Sequence, residues 1–519
     1  MPRIRRSTLL ILIPFCRAVE RAVDDCIPPY SHVIVSRRPM DGGCPEPTDG
    51  LTRPAGYSSS DFCWEIRNET APLESGTELK TVTALPEPCS GSAGSIVIGA
   101  PATLIRTGQD NEAFNRGTAL LRNCELFSRM IAQRSGINVG GQTYGVSCEV
   151  LNDNYEPLQV TNATSWLAHD RRVDVLLGPY GSTMTNFAAK EAVVDNKVLL
   201  SSTGSDPNIY AEARTLAEEF GADAAPLAFG IIPKSTAYIK PAIAAVIRAA
   251  KECDDADSGC SCGGRFDSSC SESLRFGFLI EQDDFPLAAC SEEALRYDVA
   301  IGKPVKAEIP ARRDVASTAE HRRNIRDALQ KLKEEGVSVA VICTYELGAD
   351  LAPGEMEAIG FSPLAAILLG RYNLLEGTLP GDGQWHYEYF LTTQRWHRAL
   401  SPDRRGTFSN WTIEEYFTKF NDLFSEDRFH SVERDSTGAA TFVSMCVFAA
   451  ALEEVGTVND TAALANVIYN STVSEFFGPP GLVFSPRCRT SDPVFKLDPA
   501  RYRPDSGVHD VGLQRRWPD

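Results

Sequence analysis

The sequence predicts an α/β protein of two lobes, each a parallel sheet flanked by helices. Strand-like and helix-like segments alternate in one series from Ser95 to Pro207 and in a second series after Cys270. Strands separated by helix-length segments pair in parallel through right-handed crossovers. A loop rich in Gly, Ser and Cys divides the two series, so two lobes explain the pattern better than one long sheet.

The first series opens with an apolar strand, and a long amphipathic helix follows it. Leu120, Cys124 and Phe127 fall on one face of this helix at the spacing of successive turns. We expect strands at 96–98, 144–151, 173–177 and 197–200, and helices at 112–133, 158–168 and 183–194.

The second series repeats this order on a similar scale. Ile325, Leu329 and Leu332 share one side of a predicted helix, and the strands around it are short and apolar. We expect strands at 276–280, 305–309, 337–343 and 365–369, and helices at 287–297 and 318–335.

Residues 1–22 have the pattern of a secretory signal peptide. Met1–Arg6 is basic, Thr8–Phe15 is apolar but too short to span a bilayer, and cleavage would fall near Ala18 or Ala22. A disordered basic tail is the alternative.

Residues 23–92 differ from the rest of the chain. They are rich in Pro, Ser, Gly and Thr and have no sustained periodicity. We interpret them as an irregular segment stapled by disulfides among Cys26, Cys44, Cys63 and Cys89, or as a linker.

The cysteine count also indicates an oxidising compartment. Of fifteen cysteines, fourteen remain once Cys16 leaves with the signal peptide, and an even number favours disulfides whose pairing stays open. Cys253, Cys260, Cys262 and Cys270 could bind zinc instead, but they lack paired C-x2-C spacing. The N-x-S/T sequons, which support secretion and glycosylation only weakly, begin at Asn68, Asn162, Asn410, Asn459 and Asn470.

The acidic composition argues against a nucleic-acid partner, because phosphate binding requires a basic face. The chain has 69 acidic and 51 basic residues, a net charge of −18. It contains no H-E-x-x-H, P-loop or G-x-G-x-x-G motif, and none of its histidines neighbours a clear nucleophile in sequence. We therefore predict no enzyme, no metal site and no cofactor. The scattered histidines are His32, His169, His321, His386, His397, His430 and His509.

Two turns of small residues follow neighbouring strands of the first series. Leu177–Thr185 and Leu199–Pro207 place Ser182 and Ser205 between a strand and the next helix. Helix N-termini favour anions, and ligands of open parallel sheets bind beyond the carboxyl ends of the strands. The turns predict a pocket for a carboxylate or another polar acceptor. Alternatively, both serines only cap their helices.

The order of five motifs resembles a known family. The motifs are Ser95–Gly108, Gly140–Pro157, Val173–Pro207, Phe229–Ser235 and Phe477–Phe484. Across residues 93–495 they resemble, in order, the type 1 periplasmic-binding fold of leucine- and amide-binding proteins. The ligand-binding regions of natriuretic-peptide and glutamate-type receptors are similar.

The resemblance implies two lobes joined by three hinge crossings, with Trp385–Phe390 at one of them. The helix Ala439–Val455, rich in Ala, Val, Phe and Met, would be a buried element of the first lobe. Lobe 1 would hold 93–232 and 393–470, lobe 2 would hold 233–383 and 471–495, and 496–519 would be a polar tail.

The resemblance also implies ligand contacts in the first lobe. In amino-acid binders of this family, a serine at the place of Ser182 holds the ligand α-carboxylate. The stretch that matches Thr203, Gly204 and Ser205 supplies backbone and hydroxyl contacts, and Tyr180 lies in the same turn as Ser182.

The second lobe departs from the family pattern. Where the family has D-D-x-Y-G, this chain has Asp283-Asp284-Phe285-Pro286, which keeps both aspartates but lacks the Tyr-Gly pair. Tyr345 and Glu346 follow one predicted strand, and Arg371 and Tyr372 follow the next, where an arginine would suit an anionic ligand group. For each of these residues, an exposed side chain beside the cleft is the alternative.

The implied function is non-enzymatic binding of a small polar ligand, an amino acid or an amide-like compound, by closure of the two lobes. The chain would be a secreted or extracellular solute-binding or receptor module. A periplasmic location or the extracellular part of a larger membrane receptor are alternatives. Its partners would be the ligand, a membrane receptor or transporter module, and a second copy in a homodimer. A degenerate structural version without ligand is the other alternative, because the Tyr-Gly pair is missing and a Cys-rich insertion is present.

Overall fold

The protein is described by a computed structural model, in which helices and strands form two α/β lobes. The described residues are 81–84, 93–104, 111–220, 226–232, 234–255, 274–290, 303–369, 390–392, 403–424, 436–470, 482–483 and 496–497.

The strands alternate with helices along most of the chain. The strands are β1 (Thr81–Ala84), β2 (Gly94–Ala102), β3 (Ile137–Val139), β4 (Gln142–Asn152), β5 (Val175–Leu177), β6 (Leu199–Ser201), β7 (Ala228–Gly230), β8 (Phe276–Gln282), β9 (Val305–Pro310), β10 (Val339–Cys343), β11 (Ala365–Leu368), β12 (Phe390–Thr392), β13 (Leu482–Val483) and β14 (Lys496–Leu497). The helices are α1 (Asn111–Gln133), α2 (Pro157–His169), α3 (Ser182–Val194), α4 (Pro207–Glu219), α5 (Lys240–Asp255), α6 (Asp284–Ala289), α7 (Thr318–Glu334), α8 (Glu346–Ala358), α9 (Ile413–Phe424), α10 (Ser436–Val455) and α11 (Thr461–Asn470).

Lobe 1 is built on a seven-stranded sheet with the order β1-β4-β2-β5-β6-β7, and β3 also pairs with β4. The pairs β2–β4, β2–β5, β5–β6 and β6–β7 are parallel, whereas β1 and β3 run antiparallel to β4. Strand β1 falls within residues 23–92, for which the sequence predicts irregular structure. Pairing with β4 forms this strand, which short-range periodicity does not reveal.

Lobe 2 is built on a five-stranded sheet with the order β12-β11-β10-β8-β9, and all of its pairs are parallel. A separate antiparallel pair joins β13 to β14. The chain passes from lobe 1 to lobe 2 between β7 and α5, near the crossing predicted at Phe229–Ser235. The other predicted crossings fall at 385–389 and after Asn470, outside the described residues.

Apolar side chains cover both faces of each sheet, as expected for parallel sheets flanked by helices. In lobe 1, α1, α9, α10 and α11 pack on one face, and α2 and α3 pack on the other. In lobe 2, α7 and α8 cover one face, and α5 and α6 cover the other. Each lobe therefore has its own core.

Helix α10 is long and apolar enough over Thr437–Val455 to cross a membrane, but 78% of this segment is buried inside the protein. It packs against α1 and α11 in lobe 1. This agrees with the buried first-lobe helix predicted from its composition.

The observed elements follow the predicted ones closely. The helix predicted at 287–297 instead begins at Asp284, because the Asp283 side chain accepts the Asp284 N–H and starts the helix there. Residues 291–297, the second half of that prediction, lie outside the described part of the chain.

A disulfide joins Cys290, after α6, to Cys343, the last residue of β10. Cys124, Cys148 and Cys446 are buried in lobe 1 and form no disulfide within the described part of the chain. Cys260, Cys262 and Cys270 lie outside the described residues.

Candidate functional site

The carboxyl ends of strands from both sheets meet at one cavity of about 230 Å³. From lobe 1, Thr103 lies beyond β2, Asn154 and Tyr155 beyond β4, and Tyr180 beyond β5. Glu112 in the first turn of α1 and Glu156 just before α2 also line this side.

The lobe 2 side of the cavity is more strongly charged. It is formed by side chains at the ends of β8 and β9, at the start of α8 and in the first turn of α7. They are Glu281, Asp283, Arg312, Arg313, His321 and Tyr345.

The topology explains why these side chains converge. Strand β2 has β4 on one side and β5 on the other, and β8 lies between β10 and β9. Chain order reverses at both places, and the loops that leave such neighbouring strands diverge and open a crevice. The cavity lies where the crevices of the two sheets face each other.

Aromatic rings form much of the wall. The Tyr180 ring lies 6.2 Å from that of Tyr155 and 6.4 Å from that of Tyr345, centroid to centroid. Tyr345 also packs on Phe285 at 5.4 Å. Burial raises the pKa of Tyr180 and of Tyr345 well above the usual value, so both are neutral phenols at physiological pH.

Gly181 brings the lobe 1 backbone close to these tyrosines. Its φ is +87°, a left-handed value that glycine adopts readily. A Cβ here would lie 3.1 Å from the hydroxyl of Tyr155 and 3.6 Å from that of Tyr345. A side chain at this position would therefore be strained and would crowd the cavity.

Asp283 links the lobes directly. Its Oδ1 accepts a hydrogen bond from the Thr183 hydroxyl of lobe 1 at 2.6 Å. Arg313 Nη1 donates to both Asp283 oxygens at 3.2 Å. The Asp283 carboxylate is thus held from both sides of the cavity.

Glu112 makes a second link. Its carboxylate accepts hydrogen bonds from the Tyr180 hydroxyl and, at 3.3 Å, from the Glu346 backbone N–H of lobe 2. Arg116 Nη2 lies 3.6 Å from the Glu346 carboxylate. The two lobes therefore touch across the cavity at two polar clusters.

Glu281 ties together two loops of lobe 2. Its side chain is fully buried. One oxygen accepts the Arg312 N–H at 2.7 Å, and the other accepts the Tyr345 N–H at 3.1 Å. The residues that follow β9 and β10 are thereby fixed around one carboxylate.

His321 is a buried imidazole in the same wall, with 0% of the residue exposed. Burial, with a smaller contribution from the nearby Arg312 charge, lowers the pKa of His321 to about 4. The ring is therefore neutral at pH 7.

Asp153 organises the lobe 1 wall from behind. Its Oδ1 accepts the Thr103 hydroxyl at 2.6 Å and the Tyr155 N–H at 2.9 Å. Burial raises the pKa of Asp153 to about 6, against the opposing effect of these hydrogen bonds. Both partners line the cavity, so Asp153 is a positioning residue.

Replacing Asp153 by asparagine should stabilise the protein above pH 6 and leave its stability nearly unchanged below pH 4. The folded pKa of Asp153, about 6, exceeds the ordinary value of 3.8, so its contribution to stability falls as pH rises between these values. Asparagine keeps an accepting oxygen and removes the charge, so we expect a gain of about 1–3 kcal/mol at pH 7.5. Urea unfolding at pH 4 and 7.5 measures this.

The matched control is Asp327→Asn, an exposed carboxylate on α7. Its replacement should change the free energy of unfolding by less than about 0.5 kcal/mol. An equal gain for Asp153→Asn at both pH values would contradict the titration assigned to Asp153.

Of the site residues predicted from the sequence, Tyr180 and Tyr345 line the cavity. Ser182 lies behind it, where its hydroxyl accepts the N–H groups of Ser205 and Asp206 at 3.2 Å each. The two small-residue turns therefore meet, as their strand-end positions predict, and their contact is internal.

The other predicted lobe 1 residues are buried in the same turns. The Thr203 hydroxyl donates to the Pro179 carbonyl at 2.6 Å, and the Gly204 N–H donates to Ser201 Oγ at 2.8 Å. The Ser205 hydroxyl is buried with no hydrogen-bond partner among the described residues.

The remaining predicted residues belong to lobe 2. Asp284 is half-buried in the first turn of α6, and its charge adds to burial in raising the pKa of Asp206 to about 6. Glu346 is the first residue of α8 and faces Arg116. Arg371 and Tyr372 lie outside the described residues.

Several residues that line the cavity were not predicted from the sequence. Asn154 and Tyr155 belong to the motif Gly140–Pro157 and follow β4, so strand-end position could have identified them. Glu281 lies near the end of β8, and Arg312 follows β9. His321 has no such signal, because its place depends on how α7 packs over the sheet.

The fold recurs among solved structures. A solute-binding protein of an ABC transporter from R. palustris in complex with benzoate matches with a TM-score of 0.52 and 15% identity, over 74% of this chain and 88% of that one. A possible leucine/isoleucine/valine-binding protein from Rhodopirellula baltica matches with a TM-score of 0.52 and 11% identity, over 78% and 93%. A fatty acid ABC transporter substrate-binding protein from Thermomonospora curvata matches with a TM-score of 0.52 and 13% identity, over 76% and 85%.

At the level of sequence, no family model and no curated protein matches this chain. Identities of 11–15% show the fold alone. Together with the two parallel sheets, they confirm the prediction from the sequence: this chain has the two-lobed α/β fold of type 1 periplasmic-binding proteins.

Proposed function

We propose that this chain binds a small polar ligand, an amino acid or an amide-like compound, in the cavity between its lobes. The observation that carries this proposal is the convergence of polar and aromatic side chains from the strand ends of both sheets on one cavity. Crevices at such switch points are the usual ligand sites of open α/β sheets.

Size and contacts agree with a ligand held by both lobes. A cavity of about 230 Å³ suits a small molecule. Asp283 meets Thr183, and Glu346 meets Glu112, on either side of it. A ligand between these contacts would favour the closed arrangement and shift the population of lobe positions.

The proposed contact residues are Tyr180, Tyr345 and Tyr155. Asp283 would hold the two lobes together through its hydrogen bond with Thr183. The turn around Ser182 would support this wall from behind through its bonds to Ser205 and Asp206. Arg371 and Tyr372 remain proposals from the sequence.

We further propose an extracellular or periplasmic location. The disulfide Cys290–Cys343 and the exposed sequon residues Asn410, Asn459 and Asn470 support it. The acidic net charge of −18 supports a small-molecule ligand over nucleic acid. A membrane receptor or transporter module would then detect closure.

A thermal-shift screen with amino acids, short amides, urea and nucleosides tests the proposal. A ligand at 100 times its Kd should stabilise the folded protein by about 2.7 kcal/mol. Small-angle scattering of the same sample should show a smaller radius of gyration if the lobes close. If no compound shifts the Tm of well-folded protein, the alternative of a structural protein that binds no small ligand would be favoured.

A further inference from the structure

The lobe 2 wall of the cavity carries hydrogen-bonding groups that the protein leaves unused. Neither ring nitrogen of His321 has a hydrogen-bond partner among the described residues, and the residue is 0% exposed. The Tyr345 hydroxyl is buried and equally unpaired within the described ranges. Buried polar groups are nearly always satisfied, so two such groups in one wall indicate a partner from outside the chain.

These two groups lie in one cluster with a cation. The Glu281 carboxylate accepts the backbone N–H groups of both Arg312 and Tyr345, which holds the two segments around a single side chain. Arg312 is also close enough to His321 for its charge to lower the pKa of the imidazole. His321, Arg312 and Tyr345 therefore form one polar patch, which we term the lobe 2 patch.

The lobe 2 patch is rich in donors. Neutral His321 offers one N–H and one lone pair, Tyr345 offers a phenol O–H, and Arg312 carries a positive charge. The acidic groups of this wall already accept hydrogen bonds from the protein: Glu281 from two backbone N–H groups, and Asp283 from Thr183 and Arg313. The donors of His321 and Tyr345 therefore still need a hydrogen-bond acceptor.

We propose that the lobe 2 patch binds a carboxylate group of the ligand, an inference that rests on the proposed function. A carboxylate accepts several hydrogen bonds in one plane and carries a single charge that Arg312 balances. A phosphate dianion is less favourable, because Glu281 and Asp283 lie in the same wall and repel a double charge more strongly. The sequence instead led us to expect the carboxylate at Ser182 in lobe 1.

Two matched series of compounds test this with the full chain. The first is benzoate, benzamide and benzylamine, which share a ring and differ in the polar group. The second is 4-methylpentanoate, leucine and isopentylamine, which share the same branched five-carbon chain and carry a carboxylate, both groups or an ammonium. In thermal-shift and calorimetric titrations, we expect the carboxylate members to bind and the benzylamine and isopentylamine members to bind at least roughly 10-fold more weakly.

Two variants probe the lobe 2 patch itself. Tyr345→Phe keeps the ring that packs on Phe285 and removes the hydroxyl, and His321→Leu removes both ring nitrogens. Each should weaken carboxylate binding by roughly 10- to 100-fold, as for a lost hydrogen bond to a charged group. Each should also raise the Tm of the ligand-free protein, by about 2–4 °C, because an unpaired buried polar group is gone.

Tyr416→Phe is the matched control. It also removes a buried phenol hydroxyl, but that hydroxyl donates to Asn123 Oδ1 at 2.8 Å in the lobe 1 core. This variant should lower the Tm and leave carboxylate affinity unchanged. If Tyr345 has only a structural role, Tyr345→Phe should likewise lower the Tm and leave carboxylate affinity unchanged.

The outcomes separate the two proposals. If benzamide or benzylamine binds better than benzoate, and isopentylamine binds better than 4-methylpentanoate, the lobe 2 patch is overturned and the proposed function stands. If Tyr345→Phe and His321→Leu both leave carboxylate affinity unchanged, the patch is again overturned. If no compound of either series, and none of the amino acids, amides or nucleosides above, shifts the Tm, the proposed function fails with it.

Discussion

Removal of the disulfide between Cys290 and Cys343 is expected to lower the free energy of unfolding by about 2–4 kcal/mol. The bond closes a separation of 53 residues, and a cross-link over a long loop restricts the unfolded chain strongly. Cys290 and Cys343 are 1% and 0% exposed, so the bond also lies inside the lobe 2 core.

The double variant Cys290→Ala/Cys343→Ala, unfolded in urea, measures this contribution. Cys446→Ala is the matched control, since it removes a buried lobe 1 thiol that forms no disulfide among the described residues, and it should cost roughly 1 kcal/mol. Equal losses for the double variant and the control would show that the cross-link adds nothing.

The disulfide variant should also bind ligand more weakly. Cys290 ends the segment that begins at Asp283, and Cys343 stands two residues before Tyr345. The bond therefore joins the end of α6 to the end of β10, beside two segments of the lobe 2 wall. Their release should raise the entropy lost on binding, and calorimetry with any ligand found in the screen would detect this.

Phe442→Ala should destabilise lobe 1 by about 3–5 kcal/mol. The Phe442 side chain, on α10, is 0% exposed. Its ring stacks on Trp411 at 5.3 Å and meets Phe127 and Tyr416 at 5.9 and 5.3 Å. Truncation would leave a cavity among three large rings that cannot collapse to fill it.

Chemical denaturation followed by tryptophan fluorescence checks this prediction. Phe220→Ala is the control, because Phe220 follows α4 with 65% of its surface exposed and should change stability by less than about 0.5 kcal/mol. A loss below about 1 kcal/mol for Phe442→Ala would mean that the α10 core repacks freely.

The residues of lobe 1 illustrate what local pattern can reveal about a site. Tyr180 was predicted because it lies in the same strand-end turn as Ser182, and the structure does bring it to the cavity. Ser182 was predicted from its position between a strand and the next helix, yet its hydroxyl accepts two backbone N–H groups of the neighbouring turn. Strand-end position predicts the region of a side chain, whereas its hydrogen-bond partner depends on a turn 23 residues away.

The sequence by itself determined the two α/β lobes, because the periodicity of apolar residues is a local property that dictates helix or strand and which face is buried. The strand β1, the partners of Glu281 and the burial of His321 were decided only by tertiary structure. Each depends on contacts between segments far apart in the chain: β1 with β4, and β8 with the loops after β9 and β10. The sequence pattern therefore located the cleft, and the packing of the two lobes decided which side chains line it.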